Sequence, residues 1–343
     1  MTTVSTLGSH CALQLLKGAK DEGLNSLIIT KKSRESLYRR FPFIDNYILV
    51  DEFKEIIKPE IQSQLKDSES VLIPHGTLIS EVGIEKVEKD LNVPIFGNKW
   101  ILRWESDRYL KEKLMKAAGL RSLRSFKPEE IDRLCIVKLP GAAGGKGYFI
   151  VSSYDEFRKI VDDLISSGSV LPGSEEDFYI QEYSVGVPVY FQYFYSPITK
   201  NLELLGIDRR YETSADAFGR IPSKHQLASN ISPTYVVVGN IPLVLRESLL
   251  EEAFLIGEQF VKAADKLVPP GMIGPFCIEG VYDKDGLFIP FEFSARIVAG
   301  TNLYLNGSPY STMLYNEPMS MGRRISREIN LAKKKDIMHK ILT

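Results

Sequence analysis

The chain has 343 residues, 44% hydrophobic and 25% charged, an ordinary composition for a folded protein and enough chain for about two or three domains. Its formal net charge of −1 gives no overall pull toward nucleic acid or an acidic membrane surface. Only three cysteines occur, Cys11, Cys135 and Cys277, far apart and without C-x-x-C spacing, so neither a zinc site nor a disulfide framework is indicated. No apolar run approaches the roughly 20 residues that span a bilayer, and no basic stretch followed by an apolar one marks a signal peptide; the reading is a cytoplasmic protein.

In chain order, a strand over 2–7 ends at Gly8-Ser9-His10, and a helix over 12–22 stops at Gly23. Strands follow at 26–30 and 47–50, helices at 34–40 and 54–65, and an extended stretch at 70–74 ends in His75-Gly76-Thr77. A helix over 81–90 and a strand over 94–96 complete an alternating pattern, which predicts a parallel sheet with crossover helices in an α/β domain at residues 1–97. One helix is expected over 99–118. The pattern then changes: a strand over 135–139 enters the glycine-rich turn 140–147, and a strand over 148–152 leaves it for a helix over 154–166. Strands are expected at 179–183, 187–195, 202–207 and 234–238, with a helix over 246–267. Strands 276–282 and 287–293 are joined by Asp283-Lys284-Asp285-Gly286, a good hairpin turn. A charged amphipathic helix is expected over 321–342.

Four groups of residues carry chemistry. The glycine-rich turn, with Lys138 and Lys146 around it and Gly144 and Gly145 within it, lets backbone N–H groups and two ammonium groups approach a polyphosphate. It matches neither G-x-x-x-x-G-K-[ST] nor a strand-to-helix G-x-G-x-x-G, and an ordinary flexible hairpin is the competing reading. Glu279 and Glu292 sit between apolar neighbours on the two hairpin strands, where acids are costly unless compensated. Two such carboxylates can share Mg²⁺ bridged to phosphates, or simply face solvent on an edge. Arg296 follows four residues later, as a phosphate clamp or a surface ion pair. Glu182, in Tyr-Ile-Gln-Glu-Tyr, ends a strand that can present backbone groups to an adenine, or is an exposed terminal acid. Finally, His10 and the His75/Thr77 pair follow strands that would end at the ligand-binding edge of a parallel sheet, with Ser9 and Thr77 as plain turn or cap residues in the alternative.

The order of these features resembles the ATP-grasp superfamily. Longer strings resemble, within it, the archaeal formate-dependent AICAR ligases: Leu7-Gly8-Ser9-His10, Leu102-Arg103-Trp104-Glu105-Ser106-Asp107-Arg108, Gly206-Ile207-Asp208-Arg209-Arg210-Tyr211-Glu212, Gly239-Asn240-Ile241-Pro242, and 294–302 through Ser-Ala-Arg-Ile-Val-Ala-Gly-Thr-Asn. The resemblance covers nearly the whole chain. It implies an α/β protein with the ATP-grasp fold: a Rossmann-like parallel domain over 1–97 and an ATP-grasp region over 98–343, with a glycine-rich lid at about 121–185.

The implied reaction is formylation of AICAR by formate and ATP, giving FAICAR, ADP and phosphate through formyl phosphate, with the glycine-rich hairpin as a lid. Carried over residue by residue, His10, Thr77 and Asn240 would hold AICAR, with Arg209 and Arg210 beside it. Lys138, Gly144, Gly145, Lys146, Glu182 and Glu212 would bind ATP. Glu279 and Glu292 would bind Mg²⁺ (Mn²⁺ as the alternative), and Arg296 and Lys146 would act on the transferring group. The expected partners are the small molecules AICAR and formate, neither nucleic acid nor membrane, and a second copy of the chain in a homo-oligomer. Two positions depart from the family pattern: Thr77 stands where a serine is expected, and Ala143 where a basic residue is expected. Two alternatives stay open: an ATP-grasp paralogue joining a different small carboxylate and amine, and a catalytically silent nucleotide-binding subunit.

Overall fold

Residues 2–143, 146–228 and 236–343 are described in a computed structural model of the chain. The first four strands, β1 (Thr3–Leu7), β2 (Asn25–Lys31), β3 (Asn46–Val50) and β4 (Ser70–Leu72), form a parallel sheet in the order β3-β2-β1-β4. Every residue of β1 and of β4 is buried, as in a sheet covered on both faces. Ile28, Val4 and Val71 pack into one core cluster, and Leu27, Ile29 and Leu72 into another. The expected strand at 94–96 is reduced to a single parallel bridge, Leu72 to Ile95, on the edge of this sheet.

A small antiparallel sheet follows, with β5 (Ser125–Phe126), β6 (Cys135–Ala143), β7 (Lys146–Val151) and β8 (Tyr179–Glu182) in the order β5-β8-β6-β7. Helix Tyr154–Ser166 covers it, burying Phe157 and Val161 among Cys135, Val137, Val151 and Ile180. The large antiparallel sheet has β9 (Val187–Ser196), β10 (Asn201–Glu212), β11 (Val237–Pro242), β12 (Gly274–Tyr282) and β13 (Phe288–Ser294) in the order β11-β10-β9-β12-β13. The aromatics Phe191, Tyr193, Phe276, Phe288 and Phe293 fill one face of it against helix Leu250–Leu267. Rings stack in this core, as between Tyr193 and Phe276 at 4.9 Å.

The elements differ from the sequence expectations where a local group outweighs the periodicity. The single helix expected over 99–118 is two, Ile101–Ser106 and Arg108–Ala117. Asp107 divides them, extended at φ −92° and ψ 120°, and its carboxylate accepts the N–H groups of Tyr109 and Leu110 as an N-cap. Pro59 opens a new helix, Pro59–Asp67, inside the stretch expected as one. β10 runs to Glu212, well beyond the expected 207, and so takes in Asp208, Arg209 and Arg210. The 234–238 strand is described from Val237 onward.

The last helix, Met321–Lys334, lies against helix Ala12–Asp21 of the first domain. Gln14 accepts the Gly322 N–H and donates to Thr301, and the chain end bridges Phe96 to Leu342. Arg324, 4% exposed, ties this helix to the large sheet through Glu203 at 3.0 Å and pairs with buried Glu328 at 2.8 Å. Among the described residues no helix is long and apolar enough to cross a membrane.

Candidate active site

The face of the large sheet turned away from the aromatic core carries a row of polar residues. Asp208 on β10 is opposite Tyr190 on β9, Tyr190 is opposite Glu279 on β12, and Glu279 is opposite Glu292 on β13. Directly paired residues of antiparallel strands project to the same side, so four strands put these groups in line. Asn240 on β11 pairs with Arg210, two residues on from Asp208 and on the same face. The hairpin expectation for Glu279 and Glu292 therefore holds at residue level, including the Asp283–Gly286 turn, where Gly286 adopts φ 73°.

Burial and charge then shape the row. Glu279 is 2% exposed. Arg210 Nη2 lies 2.8 Å from its Oε1 and 2.7 Å from Oε2, and hydrogen-bonds to Oε1, leaving Oε2 buried with no hydrogen-bond donor among the described residues. The guanidinium also stands 4.8 Å over the Tyr190 ring. Glu292 is 40% exposed at its side chain and receives Lys111 Nζ at 2.6 Å. Burial pushes both carboxyls upward. At Glu279 burial prevails over Arg210, and its pKa is raised; at Glu292 the Lys111 and Lys138 ammonium groups prevail, and its pKa is lowered. Lys111 itself is raised: burial works to lower it, but the charge and hydrogen bond of Glu292 outweigh that. Lys138, on β6, is lowered by burial and by nearby Lys111 and Arg108, with Glu292 opposing. It donates to Gln181 at 3.2 Å, and Arg108 holds the neighbouring Leu139 carbonyl at 3.0 Å.

A second cluster forms where the parallel sheet meets the end of β13. His10, at φ 46°, follows β1, and its ring lies 5.3 Å from that of His75, which follows β4. His75 is 1% exposed; Nε2 lies 2.8 Å from the Leu7 carbonyl and Nδ1 accepts the Thr77 N–H. That arrangement needs a neutral ring with its proton on Nε2, and burial pushes its pKa down to about 3. A parallel bridge from His75 to Ile297 brings Arg296 alongside. Any Cβ at Gly76 would lie 3.3 Å from His10 Nε2 and 3.5 Å from Arg296 Nη2, so glycine leaves these two groups room to converge. Buried Glu105 holds Arg296 Nη2 at 2.8 Å and accepts the Ala295 N–H, while Arg296 Nε is buried with no hydrogen-bond partner among the described residues. Burial, and then the Arg296 charge, lower the pKa of His10.

The sheets thus bring together Glu279, Glu292, Arg210, Asn240 and Lys138, and the turns bring together His10, Thr77 and Arg296. Arg209 stands elsewhere: it alternates to the opposite face of β10 from Arg210 and pairs with Asp216 at 2.8 Å. Glu182 approaches Arg133 at 3.5 Å. The Glu212 N–H donates to Asp216, and burial raises the Glu212 carboxyl pKa. Gly144 and Gly145 lie outside the described residues, as do the side chains of Ala143 and Lys146. Lys111, Glu105 and Asp208 are central to the geometry, yet the sequence alone gives none of them a role. Lys111 looks like any exposed lysine of a helix until the fold sets that helix beside β13. No group of three or more His, Cys, Asp and Glu side chains is placed to hold a metal among the described residues. The unsatisfied Glu279 oxygen beside Glu292 fits a divalent cation completed by phosphate oxygens, the usual habit of Mg²⁺.

An antiparallel sheet with paired carboxylates, a smaller sheet presenting a lysine to them, and a parallel α/β unit in front define the ATP-grasp fold. The structure superposes on an ADP complex of purK, N5-carboxyaminoimidazole ribonucleotide synthetase, with TM-score 0.66, over 95% of this chain and 76% of that one at 13% identity, a likeness of fold alone. It matches the crystal structure of an IMP biosynthesis protein PurP from Thermococcus kodakaraensis with TM-score 0.78 and 31% identity, over 99% and 100% of the two chains. In sequence, residues 156–343 match a domain of unknown function (DUF1297) and residues 4–126 a protein of unknown function (DUF1246).

The chain is 53% identical to a 5-formaminoimidazole-4-carboxamide-1-(beta)-D-ribofuranosyl 5′-monophosphate synthetase of Nitrosopumilus maritimus over the full length of both. It is 48% identical to the same-named protein of Methanocaldococcus jannaschii, over 99% of this chain and 95% of that one. The chain belongs to this family of synthetases, which are ligases with the ATP-grasp fold.

Proposed function

We propose that this protein joins formate to the 5-amino group of AICAR at the expense of ATP, giving FAICAR, ADP and phosphate in IMP biosynthesis. The observation that carries the reading is the full-length identity of about half to FAICAR synthetases in a chain whose Glu279 and Glu292 face each other. The reaction runs in two steps. A formate oxygen attacks the γ-phosphorus of ATP, ADP leaves, and formyl phosphate forms. The AICAR amine then attacks the formyl carbon, phosphate departs, and the amine loses a proton.

The chain's residues serve positioning and charge neutralisation, on which phosphoryl transfer chiefly depends. Lys138 and Lys111 carry the positive charge that meets the polyphosphate, with Lys146 and the backbone at Gly144 and Gly145 as further donors and Glu182 and Glu212 at the nucleoside end. Glu279 and Glu292 would hold Mg²⁺, which supplies charge neutralisation between the phosphates. His10 and Thr77 take the AICAR side, with His10 at its phosphate, and Asn240 and Arg210 meet the base from the sheet. Arg296, braced by Glu105 beside His10, stabilises the transferring group. Arg209 acts from the far side of β10 by fixing Asp216. The protein works in the cytoplasm as a homo-oligomer.

The test is phosphate release by purified protein with ATP, Mg²⁺, formate and AICAR, omitting one component at a time. Release that requires formate and AICAR, with a formylated product by mass spectrometry, supports the reading. Release with another small carboxylate but not with formate would overturn it.

A further inference from the structure

Asp208 is an acid 1% exposed, within β10, with no cation bonded to it among the described residues. An isolated carboxylate in such a place is costly unless its lone pairs are met. Both oxygens are met by primary amides. Oδ1 accepts Gln192 Nε2 at 2.5 Å, and Oδ2 accepts Asn240 Nδ2 at 2.7 Å. The backbone closes the remaining side, since any Cβ at Gly300 would collide with this carboxylate. A carboxylate can only accept hydrogen bonds, so the two amides must turn their NH₂ groups toward it. The two ends of a planar amide diverge. Anchoring Asn240 Nδ2 on a buried acid therefore turns Oδ1 toward the open side of this half-buried residue, where it accepts no hydrogen bond among the described residues. Asn240 stands opposite Arg210 on the polar face that carries Glu279.

We propose that Asp208 is a positioning residue that locks the Asn240 amide with its carbonyl oxygen facing the substrate, so that the site selects an N–H donor, the amine or carboxamide of an imidazole nucleotide, over a carbonyl in the same place. This rests on the reading of Asn240 as a substrate contact. Asparagine alone does not discriminate donor from acceptor, because the free amide rotates to suit either. Asp208 removes one of the two orientations. Gln192 and Gly300 hold Asp208 in register, one by donating to it and the other by leaving it space.

The test uses the full chain and three variants: Asp208→Asn, Asn240→Ala and the exchange Asp208→Asn/Asn240→Asp. In D208N the neighbouring amides lose the fixed acceptor. The KM for AICAR is expected to rise about tenfold, the scale of one hydrogen bond to a charged or oriented group, with the KM for ATP unchanged. The exchange variant reverses the bond, with the amide now at position 208 donating to one carboxylate oxygen at 240 and the other, acceptor-only oxygen left at 240, so it recovers most of the AICAR affinity, a rescue that a merely structural Asp208 would not give. D208N that folds and binds AICAR like the wild type overturns the proposal, as does an exchange variant no better than D208N. Should D208N fail to fold, the folded exchange variant still decides, through its AICAR affinity. Unchanged AICAR binding in N240A would overturn the substrate role of Asn240 as well. Weakened binding in N240A with none in D208N would remove only the orienting role.

Discussion

Glu279 and Glu292 face each other across adjacent strands, yet their carboxyls are driven apart in acidity. Burial dominates at Glu279, where Arg210 is the compensating cation, whereas Lys111 and Lys138 dominate at Glu292. Two like charges this close repel, and the surrounding cations decide which carboxylate stays ionised most firmly. In the free protein Lys111 thus neutralises a carboxylate assigned to metal.

Replacing Lys111 with methionine should therefore change the acid limb of the stability curve. Glu292 has a folded pKa below its unfolded value, so its contribution is present above the unfolded value and is lost as pH falls through the folded one. In Lys111→Met that contribution shrinks, and the urea midpoint should depend less on pH between about 2, the folded value, and about 4.5, where an unperturbed glutamate titrates. Lys111 has the opposite sign: its pKa is raised, so its contribution is complete below the unfolded value and disappears as pH rises through the folded one. A wild-type midpoint no more acid-sensitive than that of the variant would show that the ion pair contributes nothing.

His10 is neutral in the free protein at neutral pH, because burial and Arg296 lower its pKa. An AICAR phosphate placed against it would favour the imidazolium and raise that pKa, so binding at pH 7 should take up a fraction of a proton. Calorimetry of AICAR binding in buffers of different ionisation enthalpy measures this directly. His10→Ala should abolish the proton uptake and weaken AICAR binding by about tenfold to a hundredfold, the scale of a lost charged hydrogen bond. A buffer-independent heat in the wild type would rule His10 out as the phosphate contact.

The alternation of residues 1–97, the glycine-rich hairpin and the two acids of β12 and β13 were legible in the sequence, because each is local: a period, a turn type, a charge among apolar neighbours. The pairing of Glu279 with Glu292 was legible too, since Asp283–Gly286 makes a hairpin of the two strands. Lys111 and Glu105 were not. Each sits on a helix where charge is unremarkable, and only tertiary packing sets them against Glu292 and Arg296. Asp208 was visible only as part of the string 206–212, since the expected strand stopped at 207 and nothing local pairs it with Gln192 and Asn240. Asp107 escaped because helical periodicity runs through 99–118, and a capping aspartate breaks a helix without changing its apolar pattern.

Arg324 offers a stability test away from the site. It is 4% exposed, bonded to Glu203 and to Glu328, and stands 4.0 Å over the Phe194 ring. Arg324→Ala leaves Glu328, fully buried, without its cation, and a broken buried pair costs about 3 kcal/mol or more. The melting temperature should fall by several degrees, while the KM values of the surviving folded protein hold. Replacing Arg324 together with Glu203 and Glu328 by apolar residues of similar volume should recover much of the loss.

The most direct test of the account follows the oxygen atoms. With formate labelled by ¹⁸O at both positions, activation by phosphoryl transfer sends one formate oxygen into the released phosphate and leaves the other in the formyl group of the product. Phosphate carrying one ¹⁸O for each FAICAR formed is the predicted result. Unlabelled phosphate beside a labelled formyl group would contradict formyl phosphate as the intermediate, and the absence of any formylated AICAR would contradict the proposed activity itself.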